Sequence, residues 1–165
     1  MKFFLAVVLL GLGGCAFPVI SLQNSTVSKY AVVKIDWSGW GATKGELAVV
    51  SQIDGVAGNT FPHEKGRSSP NGPVVDYLFL EPGVKDLTLL YNQFALRLFR
   101  TGGTNWMSAS VAGKAELKPG LYKIGYVVND DAVTMWLEDS AGNAVTEKGT
   151  ATMVPVPTSS VYDQD

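Results

Sequence analysis

Residues 120–139 read GLYKIGYVVNDDAVTMWLED, two apolar runs separated by a polar turn. In both runs apolar side chains recur at every second position, as Tyr122, Ile124, Tyr126 and Val128 and then as Val133, Met135 and Leu137. A period of two is typical of a strand that buries one face. The polar residues 129–131 (NDD) between the runs are typical of a hairpin turn. The stretch therefore predicts a pair of strands joined by a tight turn.

The same pattern recurs along the chain. Residues 31–37 alternate, and residues 46–53 and 74–80 are short runs with the β-branched and aromatic residues that strands favour. Two Leu-x-Pro-Gly segments, at residues 80–83 and 117–120, each lead into a strand, and both fit a type II turn. We interpret them as two similar turns rather than an internal repeat. The expected fold is all-β: a single antiparallel β-sandwich, immunoglobulin- or transthyretin-like, of about seven to nine strands, or a small barrel.

Three segments fit this pattern less simply. Residues 86–99 hold two alternating runs whose phase changes at Asn92-Gln93, which predicts two strands with a bulge or tight turn, with a helix as the alternative. Residues 55–73 are rich in Gly, Pro, Ser and Asn and predict a long loop. Residues 155–165 (PVPTSSVYDQD) predict a flexible tail.

The amino terminus carries the most specific motif. Lys2 is followed by an apolar run over residues 3–12, shorter than the about 20 residues that a membrane-spanning helix needs. A basic start, a short apolar core and small residues after it are typical of a secretory signal peptide. The run ends in Leu12-Gly13-Gly14-Cys15, which resembles the lipobox of bacterial lipoproteins, and Cys15 is the only cysteine of the chain.

This resemblance implies that residues 1–14 are removed as a signal peptide and that Cys15 receives lipid, which attaches the protein to a membrane. One acyl chain binds a bilayer only marginally, whereas two or three hold it stably. Residues 15–28 are then the lipidated cysteine and tether, residues 29–154 the β-sandwich domain and residues 155–165 the tail. Ala16 after the cysteine implies the outer membrane if the source is Gram-negative. The body resembles small exported β-sandwich domains without indicating one family.

Charge excludes one class of partner. The chain has 13 basic and 15 acidic residues, and Lys2 leaves with the signal peptide, so 12 basic residues and a net charge of −3 remain. Nucleic-acid-binding domains are typically basic, so no nucleic-acid partner is expected. With Cys15 bound to lipid, no thiol is left for a disulfide, and core packing alone is expected to stabilise the domain.

Candidates for catalysis or metal binding are few. His63, the only histidine, is interpreted as a solvated residue of the long loop. No Gly-x-Ser-x-Gly elbow is present. Asn129-Asp130-Asp131 and Asp139 with Asn143 offer oxygen ligands, but not at the spacing of a calcium loop. Because no motif pairs the carboxylates of Glu46, Glu116 and Glu138 either, we predict no catalytic residue, no metal site and no cofactor.

Tryptophan supplies the candidate contacts with a ligand or partner. Trp136 is out of phase with the apolar face of its strand, and Trp40 and Trp106 lie in or beside turns. Exposed tryptophan rings stack on sugars and anchor protein partners. The alternative, which we favour, is that these rings fill the ends of the core.

The sequence as a whole predicts a membrane-anchored cell-envelope lipoprotein. We expect it to act without catalysis, as a binding or structural module for a protein partner or an envelope polymer. A carbohydrate-binding module that uses exposed tryptophans is one alternative. An envelope hydrolase is another, and it would need His63 or two carboxylates in a cleft.

Overall fold

The chain forms two β-sheets that pack face to face. The computed structural model describes residues 24–36, 44–67, 74–96 and 104–156. Within them lie a one-turn helix α1 (Asn24–Val27), a 3-10 turn (Gly58–Thr60) and eleven strands. The strands are β1 (Ala31–Asp36), β2 (Lys44–Ile53), β3 (Val56–Ala57), β4 (His63–Arg67), β5 (Val74–Leu80), β6 (Gly83–Leu96), β7 (Thr104–Leu117), β8 (Gly120–Asn129), β9 (Ala132–Asp139), β10 (Gly149–Thr152) and β11 (Val154–Pro155). None of the described helices is long and apolar enough to cross a bilayer.

The sheets confirm the prediction of an all-β sandwich. One sheet has the strand order β10-β9-β8-β1-β5-β4 and the other β11-β7-β6-β2-β3. Apolar side chains from both sheets form one core, with Val33, Leu78 and Met135 from the first and Leu89 and Val111 from the second. Nine strands have four or more residues, and β3 and β11 have two each, so the described strands slightly outnumber the expectation.

The hairpin over residues 120–139 is confirmed. Strands β8 and β9 pair in antiparallel register, with Tyr126 opposite Met135 and Val128 opposite Val133. Met135 and Val133 are fully buried, so the alternating apolar positions face the core. In the turn, Asp130 has a φ of 51°, a left-handed conformation that Asp tolerates better than most residues.

One strand pair is parallel. Strand β1 pairs antiparallel with β5 and parallel with β8, whereas every other pair of described strands is antiparallel. A central strand of this kind is covered on both faces. Val32 and Val33 accordingly are both fully buried, although the alternation of the sequence assigns only Val33 to the core.

The two-strand prediction for residues 86–99, and its helical alternative, are wrong for the described part of that segment. Strand β6 continues without a break from Gly83 to Leu96 and pairs with β7 along its whole length. The irregularity lies instead in the neighbouring strand β2, where the register with β6 shifts between Val50 and Gln52.

The predictions of a long loop over residues 55–73 and of a flexible tail from residue 155 are wrong in part, because both segments contain strands. Strands β3 and β4 and the 3-10 turn lie within residues 55–73. Gly58 in that turn packs so closely against the Val50 carbonyl that a Cβ atom there would lie 2.2 Å from its oxygen. At the other end, Pro155 belongs to β11, and the Val156 amide donates to the Trp106 carbonyl at 2.9 Å. Residues 157–165 lie outside the described residues.

Candidate functional site

A cleft opens between the two sheets at the edge formed by β3 and β4. Its volume is about 450 Å³, within the range of about 300–1,000 Å³ that is usual for small-molecule sites. Strand β2 and the 3-10 turn form one wall, and β1, β4 and β5 form the other. The lining residues are Ile35, Val49, Val50, Ser51, Ala57, Gly58, Asn59, His63, Asp76 and Leu78. We call this the Asp76 cleft.

Asp76 is the unusual residue of the cleft. It shares the inner face of β5 with Leu78 and Leu80, because strand residues two apart point to the same side. Its side chain is only 9% exposed, and the buried oxygen Oδ1 accepts no hydrogen bond. A buried carboxylate normally has partners, since removing its charge from water is costly. Asp76 therefore lines the cleft with one carboxylate oxygen, Oδ1, buried and without a donor.

The sequence contains a signal for Asp76 that our sequence analysis did not use. Residues 74–80 read VVDYLFL, so an acid stands inside an apolar strand, in phase with two leucines. An acid at a core position of a strand predicts a buried carboxylate, which is rare without a function or a partner.

His63 lines the same cleft, and the prediction that it is a loop residue is wrong. It begins the edge strand β4 and stands opposite Leu78 of β5. Its side chain is exposed, as predicted for a solvated residue. The ring atom Nδ1 lies 3.1 Å from the Phe61 carbonyl oxygen. Because a carbonyl only accepts, this contact favours the tautomer with the proton on Nδ1.

Ser51 also lines the cleft. Its hydroxyl donates to the Thr88 carbonyl of β6 at 3.1 Å. The hydrogen bonds of Ser51 and His63 thus both go to backbone carbonyls, and neither reaches Asp76. Serine, histidine and aspartate share one cleft here, but they do not form the hydrogen-bonded chain of a catalytic triad.

Trp136 faces outward, as its phase in the strand indicates. Its ring lies over Gly125 of β8, where a Cβ atom would come within 2.4 Å of the indole. The indole Nε1 donates to Glu138 at 2.8 Å, and the Lys148 ammonium lies 4.2 Å from the ring centroid. A cation over an indole ring is attractive. The half-buried Trp136 ring therefore already contacts Gly125, Glu138 and Lys148 of its own domain.

The other candidate tryptophans have different positions. Trp106 lies opposite Phe94 on the outer face of β6 and β7, and the two rings stack with centroids 5.2 Å apart. Trp40 lies outside the described residues. Contact of these tryptophans with a ligand or partner stays a prediction.

A second polar cluster lies near the start of β2. The Tyr91 hydroxyl is buried without a hydrogen-bond partner, and its ring centroid is 5.1 Å from that of Tyr126. Burial, and then the nearby carboxylate of Glu46, raise the pKa of Tyr91 far above its usual value, so the phenol stays neutral. Gln93 donates to the same carboxylate at 3.4 Å. None of these groups lines the Asp76 cleft.

The remaining acidic candidates have local roles. Asp139 accepts backbone hydrogen bonds from Ala141 and Asn143, each at 2.9 Å, and these bonds close the turn after β9. The three candidate glutamates each stand opposite a different kind of residue on the neighbouring strand: Glu46 opposite Gln93, Glu116 opposite Val84 and Glu138 opposite Lys123. None of them is therefore paired with another glutamate across its strands. In the described part of the chain, no three His, Cys, Asp or Glu residues are grouped to hold a metal ion.

No family model, no curated protein and no solved structure matches this chain. The case for a function therefore depends on the amino-terminal motif and on the Asp76 cleft.

Proposed function

We propose that this protein is a lipid-anchored lipoprotein of the bacterial cell envelope, and that its β-sandwich is a non-enzymatic binding module. The lipobox-like segment ending in Cys15 supports the anchor, and a host with two membranes would carry it on the outer one. The partner is a protein or an envelope polymer within reach of the tether. Cys15 and the leader lie outside the described residues, so this part of the proposal depends on the sequence.

One observation supports binding more than any other: Asp76 lines an otherwise largely apolar cleft, and its carboxylate oxygen Oδ1 is buried without a hydrogen-bond partner. A domain that needed only stability would gain from an apolar residue there, because a charge without a partner destabilises the core. Strained or unsatisfied groups concentrate where a protein binds or reacts. The Asp76 cleft is therefore the proposed binding site.

A cross-linking experiment in intact cells tests this proposal. A photoreactive amino acid replaces Ala57, an exposed residue that lines the cleft, in the full-length protein. The matched control carries it at Ser140, an exposed residue of the turn after β9. Cross-links to a defined envelope component from position 57 and not from position 140 are expected. Identical products from both positions, or none from position 57, contradict the proposal.

An envelope hydrolase is the second candidate, because His63, Ser51 and Asp76 all line the same cleft. The observed hydrogen bonds do not join them, so catalysis would require the His63 and Ser51 side chains to rearrange. The discriminating measurement is hydrolysis of chromogenic short-chain esters by wild type and by His63→Ala. Turnover that the substitution abolishes favours the hydrolase, and equal rates in both proteins exclude His63 as its base.

A further inference from the structure

We propose that the Asp76 cleft binds a primary ammonium group at the end of an apolar stem, with the Asp76 carboxylate as the counter-ion. This inference rests on the proposed binding function and specifies the ligand chemistry. It depends on two features of the cleft, the charge at its wall and the composition of its lining.

The charge selects a cationic donor. Asp76 is about nine-tenths buried, and its buried oxygen Oδ1 receives no hydrogen bond from the described residues. An ionised carboxylate offers only acceptor sites, so its complement must bring protons to donate. A ligand ammonium brings three donors and an opposite charge, and charge-assisted hydrogen bonds of this kind are about twice as strong as neutral ones.

The aliphatic lining of the cleft favours a ligand whose stem is apolar. Ile35, Val49 and Leu78 provide aliphatic wall beside the carboxylate, while the polar Asn59 and His63 are exposed at the edge of the sandwich. A chain of methylene groups gains about 0.8 kcal/mol for each group buried. The cleft volume of about 450 Å³ has room for such a chain. Free alkylamines and lysine side chains share this chemistry.

Titration calorimetry with two probes tests the inference. The full chain, purified from membranes in a non-ionic detergent, is titrated at pH 7 with 1-pentylammonium and with the neutral isostere 1-pentanol. We expect the ammonium to bind at least about tenfold more tightly, as a charged hydrogen bond predicts. Asp76→Asn should remove that preference, whereas the matched Asp131→Asn, at an exposed turn residue, should retain it.

Two further probes distinguish the sources of the ammonium group. A capped Gly-Lys-Gly peptide that binds as tightly as pentylammonium, or more tightly, indicates a lysine of a partner protein. Binding of pentylammonium alone indicates a free amine.

Equal affinity for pentylammonium and pentanol overturns the inference, and so does undiminished preference in Asp76→Asn. If Asp76→Asn does not unfold cooperatively, Ala57→Phe replaces it, because a phenyl ring at this exposed lining position fills the cleft. Pentylammonium binding that survives Ala57→Phe also overturns the inference. If calorimetry contradicts ammonium binding but position 57 still cross-links to an envelope component in cells, only the ammonium chemistry is refuted. Loss of those cross-links refutes the binding function itself.

Discussion

Asp76 is the only acidic or basic side chain that is buried among the described residues. Its unpartnered carboxylate should destabilise the unliganded domain. We predict that Asp76→Asn raises the free energy of unfolding by about 1–2 kcal/mol, because an amide is less costly to bury than a carboxylate. Urea unfolding at pH 7 measures the effect. Asp131→Asn, at an exposed position, should change the free energy by less than about 0.5 kcal/mol. A clear loss of stability in Asp76→Asn would show that the carboxylate has a stabilising partner.

Gly125 supports Trp136 in a way that no larger residue can. A Cβ atom at position 125 would lie 2.4 Å from the indole ring, so Gly125→Ala must displace the ring from Glu138 and Lys148. We predict a loss of about 1–3 kcal/mol in unfolding free energy and a red shift of the tryptophan fluorescence. Gly113→Ala is the control, since its Cβ atom would approach only Thr146, at 3.4 Å. Equal effects of the two substitutions would contradict the packing of Trp136.

Glu138 makes the stability of the domain depend on pH. Its carboxylate accepts from Lys123 at 2.9 Å and from the Trp136 indole at 2.8 Å, and these contacts hold the pKa of Glu138 below its ordinary value. The ionised form is therefore preferred in the folded state. This stabilisation is complete above the unfolded-state pKa, near 4.5, and is lost as the pH falls through the lower folded-state pKa.

The measurement compares wild type with Glu138→Gln by urea unfolding at pH 7 and at pH 3. We expect the variant to be less stable at pH 7 and the difference to shrink at pH 3, because pH 3 lies below the unfolded-state pKa near 4.5 and the advantage of the ionised carboxylate is smaller there. Glu116→Gln, on the exposed side of β7, is the control. A difference between wild type and Glu138→Gln that stays constant from pH 7 to pH 3 would exclude the charged contacts as its cause.

At the scale of elements, alternating apolar residues predicted strands that bury one face, whereas the burial of β1 on both faces and the unbroken length of β6 were not predicted. The hairpin of β8 and β9 was predicted because its inner positions are apolar, whereas its outer positions mix polar and apolar residues. Strand β6 breaks that rule: Tyr91 faces the core and is fully buried, whereas Phe94 lies on the opposite face and is only 6% exposed. Phe94 stacks on Trp106, so the apolar side of the strand changes at Asn92-Gln93 without any break in its hydrogen bonds.

The sequence could not predict the cleft, because the strands that line it are far apart along the chain. The cleft forms only because β1, β4 and β5 of one sheet face β2 of the other, and no local pattern specifies that arrangement. Asp76 was visible as an acid in an apolar strand, but its position beside His63 and Ser51 follows from the register of β4 with β5 and from the packing of the sheets.

Hydrogen exchange tests the continuity of β6. A strand paired on both sides within a five-stranded sheet opens only with a large part of the domain. We therefore predict slow amide exchange through β6, including those amides of Asn92 and Gln93 that donate within the sheet, at rates like those of the amides of Leu89 and Tyr91. Fast exchange confined to residues 92 and 93, between protected flanks, would instead indicate the turn that the sequence alone predicts.

At the scale of the whole molecule, we propose a lipid anchor at Cys15 joined to a β-sandwich that carries the Asp76 cleft. If Cys15 bears lipid, the protein has no free thiol, so neither a disulfide nor cysteine chemistry contributes to the domain. The tether then limits the partner to components near the membrane surface. The choice of envelope partners depends on this anchor, whereas the proposed binding function depends on the Asp76 cleft.

The intact mass of the protein purified from its native membrane tests the anchor most directly. We predict a chain that begins at Cys15 and carries the added mass of a diacylglyceryl group, with or without a further acyl chain. Cys15→Ser should lack that mass and leave the membrane fraction. Wild-type protein that retains residues 1–14 or carries no lipid mass, or a Cys15→Ser variant that is still acylated, would contradict the account.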